Sequence, residues 1–287
     1  VSNLEISTGG MFRTKNRYNY YNDYALSTVL PGGVRQVYNG IEKVIFSFYL
    51  PSYAYADSTN ANNYSATEDI QAAYLQGKYT FNKLQLLGGI RFENTVQTYK
   101  SKLPETAVGK NGKVSYLDML PSLHVKYALS NKENLRLSYF KGITRPGYFE
   151  LVPALFPGEY FNESGNYNLK HTIADNIDLR YEIFPSANEQ FLVGAFYKNI
   201  VNPIEFGFNT FGNNNIVYTP TNFGNATNFG LEMVLSKYYK NWGISANYTY
   251  THSSITTTKK IYGRDSNGSI VNTLGTQTRP LQGQSDH

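Results

Sequence analysis

The side chains able to do covalent or metal chemistry are few and far apart. The histidines are His124, His171, His252 and His287, and none stands in an HExxH spacing or beside a carboxylate that would complete a metal site. The stretch DSNGS, Asp265 to Ser269, has the composition of a calcium loop, but Gly268 is misplaced and the distal Glu is missing. It reads as a loop turn. No GxSxG elbow and no P-loop occurs. Cysteine is absent, which removes thiolate chemistry and disulfides. An enzymatic barrel would need a nucleophile near His124 or His252, the two histidines read as inward-facing. No catalytic residue, metal ligand or cofactor is expected. The basic residues are scattered, without a Lys/Arg block, and nucleic acid is not expected as a partner.

Side chains suited to recognition are denser. The stretch TRPGYFELVPALFPGEYFNESGNYN, Thr144 to Asn168, carries Tyr148, Phe149, Phe156, Tyr160, Phe161 and Tyr167, with Arg145, Glu150 and Glu159 among them. Pro146, Pro153 and Pro157 stiffen it and lower the entropy lost on ordering. Aromatic rings give contact area and a few charges set orientation. Tyr148, Phe149, Tyr160 and Phe161 are therefore expected to touch a ligand, with Asn209 to Tyr218 as the next choice.

What must position this segment is a series of long alternating strands. Four short polar connections, Phe81 to Lys83, Ser130 to Glu133, Pro185 to Glu189 and Tyr239 to Asn241, each lie between two period-2 runs. The connections between these hairpins are long: Tyr20 to Tyr64, Tyr99 to Val114, Thr144 to Thr172, Asn202 to Phe223 and Lys259 to Thr278. Soluble sandwiches keep most loops near about 4–6 residues. Strict alternation of short and long connections is instead the habit of outer-membrane barrels, with short periplasmic turns and long extracellular loops. By parity, Thr144 to Asn168 lies on the extracellular side.

Composition agrees. Charged residues make up 16% and aromatic residues 15% of 287, with 26 Tyr and 17 Phe, whereas soluble domains carry about 25% charge. No run of about 20 apolar residues exists, so a helical membrane protein is excluded. Along Leu84 to Glu93, Leu84, Leu86, Ile90 and Phe92 share one face, expected to meet lipid. Gln85, Arg91 and Glu93 share the other, expected to face a wet lumen, with Leu87 as an unexplained apolar exception. Tyr79, Phe81, Tyr127, Phe184, Phe191, Tyr238, Tyr239 and Trp242 flank the short turns in the manner of an interfacial girdle. The fold class is all-β, an antiparallel transmembrane β-barrel portion of about nine or ten strands by the period-2 criterion.

An ordered set of motifs then points to a family. EDIQAAYLQGKYTFNKLQLLGGIRFENT (Glu68 to Thr95), LPSLHVKYALSNKENLRLSYFKGITRPGYFEL (Leu120 to Leu151), ESGNYNLKHTIADNIDLRYEIF (Glu163 to Phe184), GAFYKNIVNPI (Gly194 to Ile204) and RPLQGQSDH (Arg279 to His287) resemble successive pieces of TonB-dependent outer-membrane receptors. The resemblance implies a closed barrel of about 22 strands with a plugged lumen. It implies energised uptake of a scarce or large ligand, such as a ferric siderophore, cobalamin, glycan or peptide, driven by the TonB complex acting on the plug. It leaves room for a surface lipoprotein partner over the barrel. Arg145, Pro146, Gly165 and Asn166 fall on the family's RP and GNxxLK elements, which recur across receptors for different ligands, and are expected to serve loop architecture. The whole chain, 1–287, reads as a barrel portion cut at both ends, without plug or closing strands. Alone it is not expected to insert or work, because lipid does not tolerate open sheet edges. A passive plugless porin and a soluble β-sandwich binding module are the competing readings.

Overall fold

The structure, a computed structural model, describes residues 2–21, 25–28, 35–37, 40–49, 62–156, 160–211, 215–264, 266–268 and 270–284. The strands begin with β1 (Ser2–Asn19), β2 (Ala25–Ser27), β3 (Ser47–Tyr49), β4 (Tyr64–Phe81), β5 (Leu84–Ser101), β6 (Asn111–Ala128) and β7 (Glu133–Thr144). The one-turn helix α1 (Tyr148–Leu151) comes after β7, then β8 (Leu155–Phe156), β9 (Asn162–Ser164), β10 (Thr172–Ser186) and β11 (Glu189–Val201). The chain continues through β12 (Ile204–Phe211), β13 (Asn215–Asn222), β14 (Asn225–Tyr239), β15 (Trp242–Arg264) and β16 (Ile270–Arg279).

Ten of these form one antiparallel sheet in the order β1-β4-β5-β6-β7-β10-β11-β14-β15-β16. Every neighbour is the next long strand in sequence, so the sheet is a simple meander. The short connections are as tight as the polar turn residues suggest. Asn82 (φ 52°) and Lys240 (φ 52°) take the left-handed conformation that a two-residue hairpin turn demands. At the β10–β11 turn the register shifts between Ile183 and Ser186, around Pro185, which has no N–H to give the ladder.

The register fixes the faces. Leu84, Leu86 and Ile90 of β5 stand opposite Tyr127, Val125 and Pro121 of β6. Leu135 and Leu137 stand opposite Tyr181 and Leu179, and Leu231 and Met233 opposite Tyr250 and Tyr248. This face is apolar and exposed across the sheet: Leu75, Phe92, Leu123, Leu137, Leu179, Leu231 and Tyr248 are all open. The reverse face carries Gln85, Arg91, Glu93, Lys126, Arg136, Asp178 and Glu232. Leu87 is not an isolated exception there. It lies opposite His124, and Leu120 and Phe140 occupy the same face.

The long connections are more structured than the sequence suggests. Asn202 to Phe223 contains the β12–β13 hairpin. Lys259 to Thr278, read as a loop, is mostly strand, because β15 runs on to Arg264 and pairs with β16 from Ile270. Asp265 and Ser269 of the DSNGS stretch lie outside the described residues. Within Tyr20 to Tyr64 the described residues include the small β2–β3 pair. The girdle reading needs one change. Tyr238 is opposite Gly243 and so points to the reverse face, whereas Tyr239 opposite Trp242 is on the apolar one. His252 also moves: it is opposite Phe229 and shares the apolar face with Tyr250, with its ring 5.3 Å from that of Phe229.

Candidate functional site

The connection from β7 to β10 does not stand off the sheet. It folds back onto the long-loop half of the reverse face, over β4, β5 and β6. Arg145 makes an ion pair with Glu93 of β5 and donates through Nε to Thr95 Oγ1 at 3.2 Å. Arg91 holds the other carboxylate oxygen of Glu93 from Nε at 2.8 Å. Gln97 Nε2 donates to the carbonyl of Pro146 at 3.1 Å and to Glu68 at 3.2 Å, and Glu68 accepts from Arg13 at 2.8 Å. At the far end of the connection, His171 Nε2 lies 2.9 Å from Asp118 Oδ1, and its ring stacks on Tyr116 with centroids 3.8 Å apart. Glu68, Glu93 and Asp118 are all buried. Buried carboxylates persist only with paired and hydrogen-bonded partners; the strap supplies one each to Glu93 and Asp118, whereas Glu68 is held from within the sheet by Arg13 and Gln97. Burial draws the Arg145 guanidinium below its ordinary pKa, though it remains a cation.

The middle of the connection packs by apolar burial. Tyr148, Leu151, Val152, Ala154 and Leu169 form a core with Tyr64, Ala66 and Tyr99 of the sheet. The α1 turn opens at Gly147, whose N–H donates to Glu150 Oε2 at 2.7 Å. The next elbow is closed by Asn166. Its backbone N–H donates to the Glu150 carbonyl at 2.6 Å, its Nδ2 to the Pro220 carbonyl at 3.0 Å, and its Oδ1 accepts from Asn168. Gly165 is pressed against backbone, since a Cβ there would sit 2.1 Å from the Val152 oxygen. Gly165→Ala should therefore destabilise the strap by about 1–3 kcal/mol through forced backbone movement. The measurement is the rate of protease cleavage within residues 144–172 of the folded full-length protein; wild-type rates would show that the clash relaxes freely.

The four aromatic ligand candidates part company. Tyr148 is 5% exposed and packs on Tyr64, and burial pushes its phenol above the ordinary pKa. It is a core residue here and is not presented to a ligand. Phe149 is 48% exposed, Phe161 37% and Tyr160 86%. Phe161 contacts Phe208 and Tyr218 at 5.3 and 5.0 Å between centroids. That contact belongs to a second sheet, β12-β13-β9-β8, which joins two connections. Val217 and Tyr218 run parallel to Asn162 and Glu163. The RPLQ element closes the same layer: Arg279 pairs with Glu205, and Gln282 exchanges hydrogen bonds with the backbone of Phe206. Glu159 and residues 212–214 lie outside the described residues.

On the short-turn half of the reverse face, Gln85, Leu87, His124, Lys126, Arg136 and Arg180 line an uncovered hollow. Ser138 borders it and donates to Asp178 at 3.4 Å rather than to His124. That connectivity is wrong for a histidine-activated hydroxyl. The sequence reading missed the pairs Arg145–Glu93 and His171–Asp118. Strand parity places both acids on the reverse face, but only the folded strap brings Arg145 and His171 to them.

The model of the outer membrane protein beta-barrel family matches residues 13–282. The chain belongs to that family. No curated protein matches it in sequence. Among solved structures it is similar to the ferric-catecholate import receptor Fiu from E. coli K12, with 18% identity, 93% of this chain and 37% of that chain covered, and a TM-score of 0.56. It is also similar to the hemophore receptor HasR of Serratia marcescens, with 12% identity, 89% and 43% covered, and a TM-score of 0.53. A third likeness is to the copper transporter OprC, with 16% identity, 67% and 32% covered, and a TM-score of 0.52. The chain thus spans well under half the length of these proteins, and the likeness is one of fold. The location is the bacterial outer membrane, and a soluble sandwich is set aside: the long strands make one outer-membrane barrel sheet, not two packed sheets. The exposed apolar face of this outer-membrane barrel is the one turned to lipid.

Proposed function

We propose that this chain is the barrel portion of a TonB-dependent receptor that takes up a scarce or large extracellular ligand with energy from the TonB complex. The observation that carries the reading is the strap over the long-loop half of the reverse face, tied to a second sheet, which leaves Phe149 of α1 and Tyr160 and Phe161 ahead of β9 open. An open diffusion pore gains nothing from an aromatic, folded outer layer; a ligand receptor does. Gln85, Arg91 and Glu93 then face the lumen. The hollow lined by Lys126, Arg136 and Arg180 lies where a plug domain from elsewhere in the protein would rest. Arg145, Pro146, Gly165 and Asn166 serve strap architecture. Metal chelates, haem and glycans are the ligand classes to try, a glycan receptor being the case that would add a surface lipoprotein.

Tyr160 gives the cleanest test, because it is exposed and its loss leaves the aromatic cluster of Phe161 intact. Tyr160→Ala in the full-length receptor should weaken ligand binding about tenfold, the scale of an aromatic hot spot. Binding is measured by tryptophan-fluorescence titration against a panel of ferric catecholates, haem, copper and oligosaccharides, with surface display checked by antibody. A wild-type protein that binds none of them yet conducts small ions in planar bilayers would be a porin, and the receptor reading would fall.

A further inference from the structure

Toward the long loops, the apolar belt on the lipid face gives way to polar residues with two lysines, Lys100 and Lys113, on neighbouring strands. On β5 the outward face reads Leu84, Leu86, Ile90 and Phe92, then Asn94, Val96, Thr98 and Lys100. On β6, which runs the other way, Leu123, Met119 and Leu117 give way to Ser115, Lys113 and Asn111. The register places Ser65, Lys100 and Asn111 in one row across three strands, and Lys113 opposite Thr98 in the row below. At about 3.4 Å per residue, Lys113 lies about 14 Å along the strand from Leu117, or about 10 Å in height for a strand tilted by about 40°. That is headgroup level, and lysine stems bend readily toward an interface.

We infer that this patch binds the phosphorylated saccharide headgroup of an outer-leaflet lipid. Lys110 is held by Glu105, whereas among the described residues Lys100, Lys102 and Lys113 make no ion pair. Two or three unpaired ammonium groups above an apolar belt are matched by phosphate. Beside them opens a cleft whose lining includes Tyr18, Ser65, Lys100, Lys102 and Asn111, together with Glu105, whose charge is met by Lys110. Tyr18, 82% exposed in the same row as Lys100, offers a flat ring for a sugar face. The occupant is a lipid because Lys100, Lys113 and Tyr18 continue the lipid-facing surface. The strap, where the transported ligand is placed, covers the other face of the sheet. The inference rests on the family and the facing of the strands, not on the uptake reading.

The test uses the full-length receptor in detergent and native mass spectrometry with phosphorylated glycolipid from the host outer membrane. Lys100→Gln/Lys113→Gln should bind it roughly 30-fold more weakly, at about fivefold per lysine near an anionic headgroup. Lys100→Arg/Lys113→Arg should bind as wild type, which separates lost charge from lost folding. Glycolipid stripped of its phosphates should bind wild type and the Gln variant alike. Equal affinity of wild type and Gln variant for the phosphorylated lipid overturns the proposal. So does displacement of the lipid by millimolar inorganic phosphate, which would make the site one for free anions. A Gln variant that keeps the lipid but loses uptake overturns it as well, by moving the lysines into the transport path.

Discussion

Arg145→Met is expected to destabilise the folded barrel by about 3–5 kcal/mol, the range for removing one partner of a buried ion pair. Glu93 is buried beneath the strap, and Arg145 supplies one of its two cations as well as a hydrogen bond to Thr95. Arg91 remains on the other oxygen, which places the expected cost near the lower end. The same substitution frees the start of the strap, because Pro146 and the α1 turn come directly after it. Unfolding by urea in lipid vesicles reads the first effect, and protease cleavage within residues 144–172 the second. Arg145→Lys keeps the charge but loses the fork that reaches both Glu93 and Thr95, so an intermediate value is expected. The double variant Arg145→Met/Glu93→Gln should recover part of the loss, since no carboxylate is then left buried without its partner. A single variant as stable as wild type, with an uncut strap, would mean that the pair does not hold the strap down.

The hairpins were legible because two independent signals coincide in them. Period-2 alternation marks a strand with one face in lipid, and residues such as Asn82 tolerate the left-handed turn. Beyond the bilayer the first signal fades. The outer parts of β15 and β16, Lys259 to Arg264 and Ile270 to Thr278, read as loop because a strand in water needs no apolar face. The β12–β13 hairpin was hidden for the same reason. At the strap, residue type alone does not announce exposure. Gly165 and Asn166 sit where a side chain cannot fit and where an amide must close an elbow. Tyr148 and Phe149 are adjacent aromatics of one helical turn, yet one is core and the other is open. Composition cannot tell them apart, since the choice depends on which side of α1 meets Tyr64. The His171–Asp118 contact spans 53 positions and exists only because β6 and the start of β10 are brought together by the strap and the strand between them.

Leu123→Arg should cost about 2–4 kcal/mol, the penalty for an arginine near the middle of the lipid-facing belt. Leu123 is exposed on the apolar face, opposite Gly88 on one side and Tyr139 on the other, roughly halfway between the short turn and the upper edge of the belt at Leu117. Leu86 shares its face but lies only a few residues from the turn at Asn82, at the level where a long side chain reaches the periplasmic interface. Leu86→Arg should accordingly cost about 0–1 kcal/mol. Thr249→Arg provides the control for the opposite face. Thr249 lies across from Glu232, so an added guanidinium there meets water and a carboxylate, and about 1 kcal/mol or less is expected, as for an exposed pair. Refolding equilibria of the full-length protein in vesicles order the three. A cost at Thr249 equal to that at Leu123 would place lipid on both faces, and a cost at Leu86 equal to that at Leu123 would shift the belt toward the short turns. Either outcome contradicts the facing derived from the strand register.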